Sequence, residues 1–520
     1  MRSFTFFYII LFITFLLPTC LFAQPTTFTS VFYDLSEDFS GSGVVQVSDS
    51  TYYIAGENNY SALLIRMDPY GYNLWEKRYI LPGKSSFLTR IFQTHDDQFI
   101  TIGSTNYDSP DGDILCMKLD ENGDTIWSRS IDFGSSEYGT FIKETNDHGF
   151  IISGTGWISG SGETQMLVVK LDSIGDMQWA RTLRTDTNCF AHSVTEVPDS
   201  GFYVIGGTRK NTYEWDTKAL LVKLTPEGEL SWAKKLTCVF NHMEGFDVVP
   251  SGSGLLCLLE RSLLVKTDFS GNVEWGKRIG WGSGDLFYGH AQKAKLHPTD
   301  DQGFVFVITG QFGSLFKLDS IGTVEWSDEL YVESADVIPT LDNGYLVIGN
   351  GPLWGVAMAP GWNQQIGMLK TDSLGLTESC MYPSWIQSDT ITIYSNPVSI
   401  ISGTGGVITD EHPEVSDASA LHYDGCVAMS GSIDDGLTET RHLLVSPNPT
   451  TGIFQIQLEP DGEELSELII YNSTGKIVWR SQTWIRLPAS LDLSFLPDGI
   501  YLIQASGNKQ RYSTKIMISK

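Results

Sequence analysis

Positive charge is scarce in this 520-residue chain, where 34 Lys and Arg stand against 62 Asp and Glu for a formal charge of −28. So acidic a surface repels phosphate backbones and anionic headgroups, and no nucleic acid partner is expected. Long apolar runs are missing beyond the N-terminus, where nothing approaches the roughly 20 apolar residues that span a bilayer. The seven cysteines include no Cys-x-x-Cys pair, and the nine histidines form no HExxH or H-x-H pattern. No Gly-rich phosphate loop and no G-x-S-x-G elbow occurs. These absences leave no expected metal site, no cofactor and no catalytic residue of a recognisable local motif. Helical periodicity is absent too.

The N-terminus does carry an apolar run. MRSFTFFYIILFITFLLPTCLFAQ has one Arg, an unbroken apolar stretch and a small residue at Ala23, the build of a secretory signal peptide over residues 1–23, cleaved before Gln24. A membrane anchor, or lipidation at Cys20 within LPTC, are the alternatives. Cleavage leaves six cysteines. Cys116 and Cys257 fall in apolar strand patterns and read as small buried hydrophobes. Cys189 with Cys238, and Cys380 with Cys426, are candidate disulfides of an exported protein, and spacing decides neither pair.

One unit is written repeatedly. LVVKLDSIGDMQWARTL at 167–183 has near-copies whose Trp residues are Trp75, Trp127, Trp179, Trp232, Trp275 and Trp326, spaced by 52, 52, 53, 43 and 51 residues. A seventh copy, GMLKTDSLGLTESC, loses its Trp. Upstream of each unit lies a turn such as NDHGF or LDNGY, where a polar residue and Gly precede aromatic and β-branched residues. Four short antiparallel strands per repeat of about 50 residues predict an all-β fold, a seven-bladed β-propeller over 24–380. The strand missing from blade seven is expected from FTSVFYDL at 28–35, which closes the ring and pairs two exposed edges. The Trp is read as a wedge between blades. Residues 381–441 lack the repeat and read as an irregular β extension and linker.

The D-x-x-G-x-x-x-W spacing, as in Asp172, Gly175 and Trp179, resembles the tryptophan-docking motif of quinoprotein propellers. Those generally have eight blades, and no constellation of their cofactor and calcium ligands is present, so the resemblance implies the packing alone. The sialidase Asp box is similar but spaced differently, which makes it a shared turn solution. The tail reads VSPNPTTGIFQIQL, ELIIYNSTGKIVWR and LDLSFLPDGIYLIQA. Through Pro447, Asn448, Pro449, Gly452, Gly475, Pro497, Asp498, Gly499 and Tyr501, residues 442–520 resemble the type A C-terminal sorting domain of the type IX secretion system of Bacteroidota. That resemblance implies a small immunoglobulin-like β-sandwich, the type IX secretion machinery as a partner, and a secreted or outer-membrane surface location.

The expected function is therefore a binding module for polysaccharide or a surface protein, acting as a monomer. In a four-stranded blade, two connections emerge on each face. One face receives the short Asp-Gly and D-x-x-G turns. The other receives long, dissimilar loops carrying Trp157, Tyr213, Trp215, Trp281, Phe287, Tyr288, Trp354 and Trp362, the candidate ligand-binding aromatics. The alternative is a glycan-degrading hydrolase or lyase using channel carboxylates, with Glu144, Glu196, Glu244, Asp247 and Asp336 as candidates.

Overall fold

The computed structural model describes residues 27–33, 38–106, 111–210, 217–239, 242–280, 295–308, 313–330, 333–350, 365–375, 382–383, 387–417, 421–424, 442–446, 450–459, 464–465, 467–472, 477–481, 485–497, 499–506 and 511–518. The expected signal peptide at 1–23 lies outside them, as do Cys380 and Cys426. Two compact units account for the described residues, one within 25–429 and one within 430–520.

Seven antiparallel sheets build the first unit as the blades of a β-propeller. In blade three the strands Glu137–Glu144, Phe150–Trp157, Thr164–Leu171 and Met177–Arg184 lie side by side from axis to rim. Among the described residues the one helical element is a single 3-10 turn at Glu260–Ser262. Blade seven takes three strands from the end of the repeats, Glu333–Pro339, Tyr345–Asn350 and Ile366–Thr371. Its fourth is Phe28–Tyr33, with Phe28 opposite Lys370 and Phe32 opposite Ile366.

The repeated Trp and the repeated Gly belong to one contact. Each Trp ring lies against the turn glycine of the next blade, the Gly of D-x-x-G everywhere but in blade four, where Thr225 stands for the Asp: Trp75 on Gly123, Trp127 on Gly175, Trp179 on Gly228, Trp232 on Gly271, Trp275 on Gly322 and Trp326 on Gly375. The seventh contact is Phe28 on Gly71, so Phe28 holds the Trp position of blade seven. These glycines have φ between +73° and +87°, and a Cβ on any of them would fall 2.6–3.0 Å from the ring. Conformation and space both require Gly there. Lys77, Arg129, Arg181, Lys234 and Lys277, two residues past their Trp, lie 5.3–5.6 Å above the same rings. Blade six departs, since Asp328 takes this position and is buried.

The Lys of the repeat holds the other turn. Lys170, 3% exposed, donates from Nζ to Asp147 in the turn between the first two strands and to the carbonyl of Leu171. Lys317 and Lys370 do the same with Asp301 and Asp342. A buried ammonium is tolerable only when paired, which accounts for the joint recurrence of Lys and the turn Asp.

The described residues between 382 and 424, within the stretch read above as an irregular extension and linker, form strands along the rim of the ring. After blade seven's third strand, the chain runs backwards round the propeller and adds one outer strand to every blade. Tyr382–Pro383 joins blade six, Gln387–Thr390 blade five, Tyr394–Pro397 blade four, Ile401–Gly403 blade three, Val407–Asp410 blade two, Glu414–Asp417 blade one and Leu421–Asp424 blade seven. Ser388, Ser395, Ser402, Ile408, Val415 and His422 face Ile279, Leu236, Leu183, Ile131, Tyr79 and Phe32. Those positions step by seven residues, once by six. A seven-residue extended step covers about 23 Å, so the blade pitch sets the period of this belt. Phe28–Tyr33 ends up between Ile366–Thr371 and Leu421–Asp424, held on both edges. The belt also anchors by side chains: Ile393 is 7% exposed and packs with the blade four and five core, while Val398, Ile400 and Ile408 fill neighbouring seams.

The candidate disulfide between Cys189 and Cys238 is not formed, and Cys189 is a free thiol, as are Cys116 and Cys257. Cys189 is engaged by Thr185, and Cys238 contacts the sulfur of Met243 at 2.9 Å.

The second unit packs a sheet of Ile477–Arg480, Glu467–Asn472, Gly499–Ser506 and Arg511–Ile518 with a smaller one of His442–Ser446, Ile453–Glu459 and Ala489–Asp492. Phe454, Ile456, Leu468, Ile470, Ile503 and Ile516 form its core.

Candidate functional site

The axis of the ring is lined by the innermost strands, most of which carry a bulge that breaks their register. Bulges turn side chains toward neighbouring blades, and the channel carboxylates follow. Asp336 of blade seven receives Arg90 Nη1 of blade two at 2.9 Å and lies 3.3 Å from His297 Nε2 of blade six. Arg90 also donates to the carbonyl of Ser42 in blade one at 3.1 Å. Burial works to raise the Asp336 carboxyl, but Arg90 and His297 outweigh it and hold the group below its usual range. Asp247 of blade five accepts the Leu296 N–H of blade six at 3.0 Å, and burial pushes its carboxyl up.

The other three candidates are also ties. Glu144 accepts the His95 N–H across the blade boundary at 2.8 Å, and Glu196 accepts the Asn146 N–H at 2.8 Å. Gln46 accepts the Leu341 N–H at 2.7 Å in the same manner between blades seven and one. Glu244 pairs with His192 of blade four. The axial cavity measures about 90 Å³ and is bounded by Arg90, Phe141, Asp247, Lys295, His297 and Asp336. It has room for several waters and falls well short of the roughly 300 Å³ at which small-molecule pockets begin.

Two groups of ligand-type atoms meet where local motifs gave no sign, because their members come from different blades. On the short-turn face, His95, Glu144 and His148 bring one atom each within 4.8 Å of one another, with the two imidazoles stacked at 3.7 Å between centroids. On the long-loop face, Asp113, Asp132 and Glu137 do likewise within 4.8 Å. Glu137 is 1% exposed. Burial, with Asp132 and Asp113 adding repulsion, pushes its carboxyl up to about 7.

Trp157 ends the second strand of blade three at the long-loop face and is 40% exposed. Tyr138 lies beside it at 5.9 Å between ring centroids. Tyr213, Trp215, Trp281, Phe287, Tyr288, Trp354 and Trp362 lie outside the described residues. In the C-terminal unit, Gly452 has φ +118° and its position would bring a Cβ 2.5 Å from the Ser494 backbone. Its N–H donates to Thr450 Oγ1 and its carbonyl accepts the Leu493 N–H. Tyr501 is buried and donates from its hydroxyl to the Pro497 carbonyl at 2.8 Å. Gly499 begins the strand Gly499–Ser506. Pro447, Asn448, Pro449, Gly475 and Asp498 lie outside the described residues.

Residues 444–519 match the family described as the secretion system C-terminal sorting domain. The C-terminal unit thus marks the chain for secretion or cell-surface attachment by the type IX system. No curated protein matches the chain. Among solved structures, a protein of unknown function from Bacteroides caccae is similar at 10% identity, over 58% of this chain and 93% of that one, with a TM-score of 0.34. An engineered GH43 glycoside hydrolase with endo-xylanase and exo-arabinofuranosidase activity aligns at 12% identity, over 69% and 85%, with a TM-score of 0.23. Drosophila Plexin A, in complex with Semaphorin 1b, aligns at 6% identity, over 66% and 87%, with a TM-score of 0.28.

Proposed function

We propose that the chain is an exported binding protein whose propeller presents its long-loop face to a polysaccharide or protein ligand outside the cell. The observation that carries this reading is the engagement of all five candidate carboxylates, Glu144, Glu196, Glu244, Asp247 and Asp336, in ties between blades, with Asp247 and Asp336 bounding an axial cavity of about 90 Å³. Catalysis of glycoside cleavage needs two carboxyls facing a substrate-sized cleft. These carboxyls instead stiffen the ring. Recognition by loops on a rigid scaffold suits the opposite assignment, with the aromatics at Trp157, Tyr213, Trp215, Trp281, Tyr288, Trp354 and Trp362 as anchors. The test is a glycan array and a panel of surface proteins probed with purified chain, run beside a reducing-sugar assay on every retained glycan. Retention without release of reducing ends is expected. Release of reducing ends, lost on Asp247→Asn or Asp336→Asn, would establish the hydrolase instead.

A further inference from the structure

We propose that Asp113, Asp132 and Glu137 bind a hard divalent cation of the calcium class between blades two and three on the long-loop face, whatever ligand that face takes. The three come from separate segments of two blades. Asp113 precedes the third strand of blade two, Ile114–Leu119; Asp132 ends its fourth, Thr125–Asp132; Glu137 opens the first strand of blade three. One oxygen of each lies within 4.8 Å of the others.

Acidic clusters are common on so acidic a chain, and the decisive feature here is Glu137. It is 1% exposed, its Oε1 accepts the Ser135 N–H at 3.1 Å, and its Oε2 is buried with no hydrogen-bond partner. A buried carboxylate oxygen left unsatisfied is costly. The repeat shows what this position does elsewhere. At the start of the first strand of blade two, Ser86 Oγ accepts the Ala62 N–H at 3.0 Å, and at the start of blade four Asn188 Oδ1 accepts the Thr164 N–H at 2.8 Å. Both are neutral, and each is satisfied by the preceding blade. Blade three alone of these three has an acid there, with two more acids beside it.

Lys84 reaches the cluster but is shared with a further acid. Lys84 Nζ lies 3.8 Å from Asp113 Oδ2, but its closer partner is Glu411 at 2.5 Å. Ser130 Oγ donates to Asp113 Oδ2 at 2.9 Å, and the Gly134 N–H donates to Asp132 Oδ1 at 2.5 Å. Each acid therefore keeps lone pairs for a further partner. An all-oxygen, multiply charged donor set suits calcium, which accepts six to eight oxygens in irregular geometry, with water completing the shell. By contrast, the His95, Glu144 and His148 group needs no ion to account for Glu144, whose contact with the His95 N–H recurs in Glu196 and Gln46.

Isothermal titration of the chelator-treated full chain with calcium chloride, and separately with magnesium and zinc chlorides, tests the assignment. Calcium is expected to bind at one site with a Kd of about 1 mM or tighter, in the range of extracellular modules, and to raise Tm by about 2 °C or more at saturation. Glu137→Gln and Asp132→Asn are expected to weaken it at least tenfold while leaving Tm in chelator unchanged or higher. Asp132, the less buried of the two, guards against a folding defect. Absence of calcium heat at millimolar concentration, undiminished binding in both variants, or binding of zinc in preference to calcium would each overturn the proposal.

Discussion

Phe28 lies against Gly71 as each repeat Trp lies against the turn glycine of the following blade, so the strand Phe28–Tyr33 supplies the seventh wedge of the ring. Replacing Phe28 by Ala removes that wedge at the one junction joined by distant parts of the chain. A loss of about 2–4 kcal/mol is expected from truncation of a packed aromatic, read as a lower midpoint in urea unfolding. Phe28→Trp is expected to keep or raise stability. Equal midpoints for Phe28→Ala and wild type would show that the junction does not rely on this ring.

The belt can be tested at one atom. Gly276 follows Trp275, its carbonyl accepts the Ile391 N–H at 2.9 Å, and a Cβ there would meet Ile393 at 2.5 Å. Gly276→Val is therefore expected to lift the belt from blade five and destabilise the propeller by about 1–3 kcal/mol, the usual cost of overpacking. Limited proteolysis should then cut within 387–400 first. Unchanged resistance of that segment would contradict the packing.

Blade six offers a pH test. Asp328 replaces the cation found two residues past Trp in five other blades, and burial, with Asp372 adding repulsion, pushes its carboxyl from the ordinary 3.8 up to about 6. Because the folded value is raised, the stability this group contributes is fully present below about pH 4 and is lost as pH rises through 6. Asp328→Asn should thus raise stability at pH 7.5 by on the order of 1–2 kcal/mol and change little at pH 4. Thermal melts at both pH values measure the difference, and an equal effect at the two would exclude the carboxyl as its source.

Gly452 offers a test of the sorting domain. Gly452→Val, at φ +118° and against the Ser494 backbone, is expected to unfold the C-terminal unit and leave the protein in the periplasm of a host with the type IX machinery, as deletion of 444–519 would. Surface display of both variants at wild-type levels would remove the domain from the export route.

The blades were legible because their signals are local and repeated. Trp75 through Trp326, the D-x-x-G turns and the missing seventh Trp all lie within single repeats or at the chain's ends. The belt was harder, since its strands pair with partners up to several hundred residues away. Its signals were nevertheless present: Ser388, Ser395 and Ser402 recur at seven residues, and Ser128, Ala180, Ala233, Gly276 and Ser327 put a small residue after each of five Trp. That small residue leaves space for the belt, and Ala233 accepts the Val398 N–H just as Gly276 accepts that of Ile391. The channel carboxylates were visible as candidates, but their roles were not. Glu144 and Glu196 look alike in sequence to a general acid, and only the adjoining blade reveals the N–H each receives. Asp113, Asp132 and Glu137 escape any spacing rule because their meeting depends on the passage from one blade to the next.

The most direct measurement is retention of the purified chain on its strongest array ligand, compared among wild type, Trp157→Ala and Asp336→Asn, with Tm recorded for each. A binding face and a structural channel together require that Trp157→Ala weaken retention at least tenfold at unchanged Tm, while Asp336→Asn lowers Tm and leaves the retention of its folded fraction intact. Retention that survives Trp157→Ala and is abolished by Asp336→Asn at unchanged Tm would place recognition in the channel and contradict the account.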